Sequence, residues 1–200
     1  MKVHHFVNLV SLRYHVENQC ESNVYYVDSI SLSVVLKLMR IQHSRRSGVG
    51  FYSNETFDDA FYFLAYDSGV HENYTVVPWL EESAIERYAS EFIDNNDIQH
   101  FKSVVIGISS PKQDILGRCL TQVFTGEIYC LGAAIQYRDS MLVDFSDIVG
   151  LTWLLMFLRS PYRTMNKIVK TITQLIPIVV SKNYRKEINK MNFQNQKYEL

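Results

Sequence analysis

The stretch Val104-Val105-Ile106-Gly107-Ile108-Ser109-Ser110-Pro111-Lys112-Gln113-Asp114 decides how the rest of the chain is read. Its apolar, β-branched start reads as a buried strand over Ser103 to Ile108, followed by a turn of small residues. Pro111 suits the first position of a helix, because the N–H it lacks would be unpaired there anyway. The helix is predicted to run to about Phe124. Free N–H groups around Ser109 to Gln113 would then face the end of a sheet, where an anion or a polar ring can bind. Lys112 and Gln113 add donors. A tight turn with solvated side chains is the plainer alternative.

Working outward, short β-branched runs alternate with helix-like segments. Val3 to Leu9, Val24 to Val27, Gly48 to Tyr52, Val76-Val77 and Ile128 to Leu131 read as strands. Ser29 to Ile41 reads as a helix, with Ile30, Val34, Leu38 and Ile41 at helical spacing. Asn54 can cap a helix over Glu55 to Tyr66. Glu81 to Asn95 places Ile85, Tyr88, Ala89 and Phe92 on one helical face. Asp147 to Arg159 and Thr164 to Gln174 read as helices separated by Pro161. This alternation predicts an α/β fold: one Rossmann-like domain with a mainly parallel sheet wound on both sides. Ligands bind such sheets beyond the carboxyl ends of the strands. Residues 1–158 are expected to form this domain, 159–190 a basic, helical appendage, and 191–200 a polar tail.

Composition narrows the function. The 200 residues are 47% apolar and 20% charged, which fits a globular chain and not a disordered one. A net charge of −1 gives no field directed at nucleic acid, so none is expected as a partner. Cys20, Cys119 and Cys130 form neither a close pair nor a metal-ligand spacing. Reduced thiols and a cytoplasmic location fit them. The N-terminal residues lack the apolar core of a secretory signal. The longest apolar stretch, near Val149 to Leu158, falls short of the roughly 20 residues of a spanning helix. His4-His5 reads as a pair on an edge strand and not as a metal site. Phe57, Phe61 and Tyr62 read as core residues and not as a nucleobase platform.

Three segments share a resemblance. Gly107 to Asp114 resembles the Gly-x-Gly-Ser-Pro-Lys-Gln-Glu stretch of the WecG/TagA/CpsF glycosyltransferases (glycosyltransferase family 26), with Ser109 for the second glycine and Asp114 for the glutamate. Ile128-Tyr129-Cys130-Leu131-Gly132-Ala133-Ala134 is similar to that family's strand ending Gly-Val-Gly-Ala-Ala-Phe-Asp. Gly150-Leu151-Thr152-Trp153-Leu154, with Pro161 and Arg163 following, resembles its Gly-Leu-Glu-Trp-Leu-Tyr-Arg and Glu-Pro-x-Arg. The three lie in the family's order and cover roughly residues 103–163. Before residue 103 the likeness is thinner. Tyr25-Tyr26-Val27-Asp28-Ser29-Ile30-Ser31 resembles a Pro-Asp-Gly-x-Gly turn with serine at both glycines, and Phe6-Val7-Asn8 an early Thr-Pro-Asn. Between Leu38 and Gly48 the chain is shorter than the family pattern.

The resemblance implies transfer of a sugar from a UDP-sugar to a polyprenyl-diphosphate-linked acceptor, in cell-surface polysaccharide synthesis. It implies no bound metal and no cofactor beyond the donor substrate. An acceptor hydroxyl must lose its proton as it attacks the anomeric carbon, and the resemblance gives the general base to Asp28. Asp28 also suits the cap of the helix beginning at Ser29. By the same resemblance Asn8, Gly107, Ser109, Ser110, Pro111, Lys112, Gln113 and Gly132 would line the substrate or nucleotide site. Arg159 and Arg163 would hold the departing diphosphate, where guanidinium geometry is apt. Thr152 stands for the family's glutamate, Met156 for its arginine and Gln136 for its aspartate. Those changes allow a second reading, a non-catalytic binding or scaffold subunit of a polysaccharide assembly complex.

The end of the chain adds a partner. Between Arg159 and Lys190 stand eight basic residues, and the only acid is Glu187. Met165, Ile168, Val169, Ile172 and Leu175 share a helical face. A basic amphipathic stretch suits an anionic membrane surface, or its apolar face covers the protein's own sheet. The expected location is peripheral, at the inner face of the cell membrane. A homo-oligomer is compatible with the reading.

Overall fold

A computed structural model describes residues 1–67, 69, 71–137, 181–191, 193 and 194, with isolated positions between 158 and 176. The strands are β1 (Lys2–Val7), β2 (Asn23–Val27), β3 (Ala60–Leu64), β4 (Tyr74–Val76), β5 (Ser103–Gly107) and β6 (Glu127–Cys130). The helices are α1 (Leu12–Glu17), α2 (Ile30–Leu38), α3 (Gly48–Asn54), α4 (Ile85–Asn95), α5 (Lys112–Leu120) and α6 (Lys182–Lys190). All six strands join one parallel sheet in the order β2-β1-β6-β5-β3-β4, the α/β arrangement predicted from the alternation. Parallel sheets are covered on both faces, so their central strands are apolar throughout. β5 shows it: Ser103-Val104-Val105-Ile106-Gly107 is buried along its whole length.

Three expectations are corrected. His4-His5 is not on an edge, since β1 lies between β2 and β6. The ring of His4 stacks on Tyr129 at 4.5 Å between centroids. The segment from 48 to 66 is exchanged in type: the predicted strand at Gly48 is helix α3, and the predicted helix after Asn54 contains strand β3. Caps explain the first exchange. The hydroxyl of Ser47 accepts from Gly50 N at 3.1 Å, and Asp28 Oδ1 accepts from Gly48 N at 2.9 Å. These satisfy orphan donors of a helix start that the Gly-rich, aromatic sequence would not hold alone. In β3, Ala60-Phe61-Tyr62-Phe63-Leu64 is a β-prone aromatic run, and four of its five residues are buried. The third correction is by one residue: α5 begins at Lys112, and Pro111 is its N-cap. Helix α1, too short for a periodic signal, is absent from the sequence reading.

The chain forms two compact units. The first holds Met1–His5, Glu21–Val24 and Phe51–Arg138. In it α4 buries Ile85, Ala89 and Phe92 at the i, i+4, i+7 spacing of one helical face. Phe61 packs edge-on to Phe63 and tilted against Phe92 and Phe101, the core role expected of it. Tyr62 is buried, and Phe57 packs on Phe51, Tyr52 and Tyr129. The second unit holds Phe6–Cys20, Tyr25–Gly50 and Asp139–Leu200. Its core gathers Val7, Leu9, Leu12, Tyr25, Val27, Leu32 and Leu36 with Ile188, Met191 and Phe193. Helix α6 thus supplies Ile188 to this core and keeps its basic residues outward. The helices predicted over 147–159 and 164–174 lie outside the described residues.

Candidate functional site

The topology of the first unit singles out one place on the sheet. After β3 the chain moves outward to β4, and after β5 it moves the other way, to β6. Right-handed crossovers running in opposite directions lie on opposite faces. The crevice between two such strands, at their carboxyl ends, is where open α/β sheets bind ligands. Here the strands are β3 and β5, with Leu64 in register with Gly107. Gly107 is closely approached: a Cβ there would meet Ile135 Cδ1 at 2.6 Å, so that side chain would have to shift, and the Phe63 carbonyl at 3.4 Å.

The β5–α5 turn stands at that point. Ser109 is exposed, and Ser110, Pro111 and Lys112 are half-buried. The turn spends part of its donor capacity on itself. Gln113 N donates to the Ser109 carbonyl at 3.3 Å and Asp114 N to the Pro111 carbonyl at 3.0 Å. Lys112 reaches sideways: its ammonium donates to the Leu80 carbonyl and sits 4.4 Å from the centre of the Trp79 ring. Gln113 is 4% exposed, and its Oε1 has no hydrogen-bond partner among the described residues. That oxygen lies beneath Gly132, where a Cβ would meet it at 3.0 Å. Gly132 has φ +61°, a conformation in which side chains are strained.

A buried carboxylate fixes the turn from below. Asp114, 1% exposed, accepts from His5 Nδ1 at 2.8 Å and from Ser110 Oγ at 2.6 Å. His5 Nε2 lies 3.3 Å from Asn23 Oδ1. The pair ties β1 to the turn across 109 residues of sequence. Ser110 points its hydroxyl into this network and not outward. Cys130 is buried beside it, and burial, reinforced by Asp114, pushes its thiol well above the ordinary range. It therefore stays a protonated core thiol and not a nucleophile.

In the second unit, Asp28 and Asn8 follow β2 and β1. Asp28 is half-buried; its Oδ1 accepts from Gly48 N, its backbone N–H donates to the Val7 carbonyl at 2.9 Å, and its carbonyl accepts from Arg45 Nε at 3.2 Å. The helix beginning beside it is capped by Ser29, whose Oγ accepts from Leu32 N at 3.2 Å. Asp28 thus caps α3 and leaves α2 to Ser29. Asn8 Oδ1 accepts from Val10 N at 2.9 Å and Ser11 N at 3.1 Å, an Asx-type turn leading into α1.

Of the residues expected at a site, Gly107, Ser109, Ser110, Pro111, Lys112, Gln113 and Gly132 gather in the first unit around the β5–α5 turn. Asp28 and Asn8 lie at strand ends of the second unit. Arg159 and Arg163 fall outside the described residues, as does the side chain of Gln136. One residue beside the turn, Trp79, is not among those expected from the sequence. Trp79 stands three residues past the end of β4, after Pro78, and a large aromatic just beyond a parallel strand is the signal that points to it. A shallow depression lined by Ile93, Asn96, Ile98 and Gln99 lies on the segment entering β5, away from these groups. Among the described residues, no helix is long and apolar enough to cross a membrane. In comparison with known proteins, no family model, no curated protein and no solved structure matches the chain.

Proposed function

We propose that the chain is a glycosyltransferase that moves a hexose or N-acetylhexosamine-type sugar from a UDP-sugar to a polyprenyl-diphosphate-linked saccharide. The observation that carries the reading is the β5–α5 turn. The motif-bearing residues Gly107 to Gln113 stand at the carboxyl end of β5, beside β3, where a parallel sheet takes its ligands. In the proposed reaction the acceptor oxygen bonds to the anomeric carbon as the bond from that carbon to the UDP oxygen breaks. The acceptor proton passes to Asp28, and UDP leaves with its charge held by Arg159 and Arg163. Lys112 and the turn hold the nucleotide. The acceptor cannot leave a bilayer, which favours attachment at the inner membrane surface. The exposed Leu158, Tyr162, Met165, Val169 and Ile176, among the basic residues of 159–190, support that attachment.

The test is UDP release from a panel of UDP-sugars with acceptors presented in anionic vesicles. Release is expected with at least one pair, and Asp28→Asn should lower it by roughly 10² or more, the usual loss of a general base. Folded chain that sediments with the vesicles and yet releases no UDP with any pair would overturn the reading. One observation favours the second reading, a non-catalytic binding subunit: the Asp28 carboxylate already has a structural use, accepting from Gly48 N. UDP binding without turnover, in wild type and Asp28→Asn alike, would select it.

A further inference from the structure

Trp79 is 81% exposed, the most exposed large apolar side chain among the described residues. It is nonetheless not adrift. Pro78 precedes it, and Val77 N donates to the Leu64 carbonyl at 2.8 Å, so the segment is pinned to the carboxyl end of β3. On the other side Leu80 accepts from the Lys112 ammonium, which also lies over the indole, 4.4 Å from its centre. A cation over an indole is held by the ring's quadrupole. One face of the ring is therefore occupied by the first charged residue of α5. At such high exposure the opposite face is left to water. A fold that buries Phe63, Phe92 and Phe124 in the same unit has no packing reason to hold an indole exposed beside the carboxyl end of β3. Gln113 Oε1, buried under Gly132 without a partner among the described residues, marks the adjacent turn as polar capacity not used by the fold.

We propose that Trp79 is the platform on which the base of a uridine nucleotide stacks, on the ring face turned away from Lys112, with the phosphates reaching Lys112 past the edge of the ring. The inference rests on reading the β5–α5 turn as the nucleotide site, and it names the residue that reads the base. Every nucleobase offers a flat π-face, and stacking on an aromatic side chain needs no hydrogen bond. A nucleotide whose phosphates approach Lys112 and the start of α5 carries its base one ribose away, within reach of the open indole face. Lys112 retains N–H donors beyond the one given to Leu80, since an ammonium has three. Trp79 is a binding residue in this scheme, with no part in the bond-making step.

The experiment measures binding of UDP and of ribose 5-phosphate to the full chain by calorimetry, with NMR of the uracil H5 and H6 protons. Wild type should bind UDP and shift both protons upfield through the indole ring current. Trp79→Ala should weaken UDP binding about tenfold and abolish the shift, while Trp79→Phe keeps most of both. Ribose 5-phosphate, which has no base, should bind wild type and Trp79→Ala equally. Unchanged UDP affinity in Trp79→Ala, with the ring-current shift retained, overturns the platform and leaves the nucleotide site standing. Failure of wild type to bind UDP at all overturns both. Loss of ribose 5-phosphate binding in Trp79→Ala would assign Trp79 to holding Lys112, and so also overturns stacking.

Discussion

Two strand ends of this molecule look alike in sequence and differ in what they have left to offer. Around Asp28 in the second unit, the polar groups are spent on the chain's own backbone. Asp28 takes the Gly48 N–H, Ser29 that of Leu32, Ser47 that of Gly50, and Asn8 those of Val10 and Ser11. Around the β5–α5 turn in the first unit, capacity remains. Ser109 is exposed, Gln113 Oε1 has no partner among the described residues, and Trp79 stands in water. A small polar residue after a strand is thus no guide to a site until its hydrogen bonds are followed to their ends. Where they close locally, the residue is a cap; where they do not, it is a candidate for binding.

The contrast can be broken first at Asp114, whose carboxylate is committed to His5 and Ser110. Asp114→Ala leaves His5 and Ser110 without their acceptor in a buried setting. Loss of about 3 kcal/mol is expected in urea unfolding, in the range for a severed buried charged hydrogen bond. A loss below about 1 kcal/mol would mean that water or neighbours replace the carboxylate readily. The next variant sharpens the comparison at Asp28. Asp28→Ala should cost about 1 kcal/mol, the ordinary value of a lost N-terminal cap, while Asp28→Asn keeps an acceptor oxygen and most of the stability. Equal stability of Asp28→Ala and wild type would remove the capping role and return the carboxylate to chemistry alone.

The smallest effect concerns the thiols. Cys20 is exposed, Cys119 half-buried and Cys130 buried. Burial raises the Cys119 thiol, and raises that of Cys130 further. Labelling by a disulfide reagent should therefore proceed in that order, with Cys130 modified only on unfolding. The sign with pH follows: a thiol raised in the folded state contributes stability present below the unfolded value, about pH 8.5, and lost as pH rises through the folded one. Alkaline destabilisation should be slightly less in Cys130→Ala, after allowance for its cavity. Labelling of Cys130 as fast as Cys20 in folded protein would place it outside the core.

The parallel sheet was legible because strand and helix periods alternate cleanly around Val104 to Leu120. The stretch from Gly48 to Leu64 was not, and the reason is physical. Val49, Phe51 and Tyr52 favour a strand by propensity, yet the acceptor that starts α3 comes from Asp28, twenty residues upstream. Local sequence holds no sign of a cap supplied from elsewhere. Ser47 was the one local clue. The turn at Ser109 to Gln113 was found from small residues, Pro111 and a family likeness. Sequence does not single out Trp79 beside it, because aromatic residues in this chain mostly pack with one another, as Phe61 and Phe63 do. Exposure is the property that separates them, and sequence does not print it.

The placing of β1 has a consequence for how the chain folds as it is made. Lys2 to His5 pair with Glu127 to Cys130, so an early strand has a late one as its neighbour. At roughly 5–20 residues per second, translation separates the two by several seconds. Through that interval the apolar edge of β1 has no β6 to pair with, and His5 has no Asp114. Contacts this distant in sequence slow folding, because loop closure must precede any reward. The turn at Ser110 is therefore among the last parts of the first unit to be fixed. A nascent chain arrested before residue 114 therefore carries β1 with neither its β6 neighbour nor the bond from His5 to Asp114.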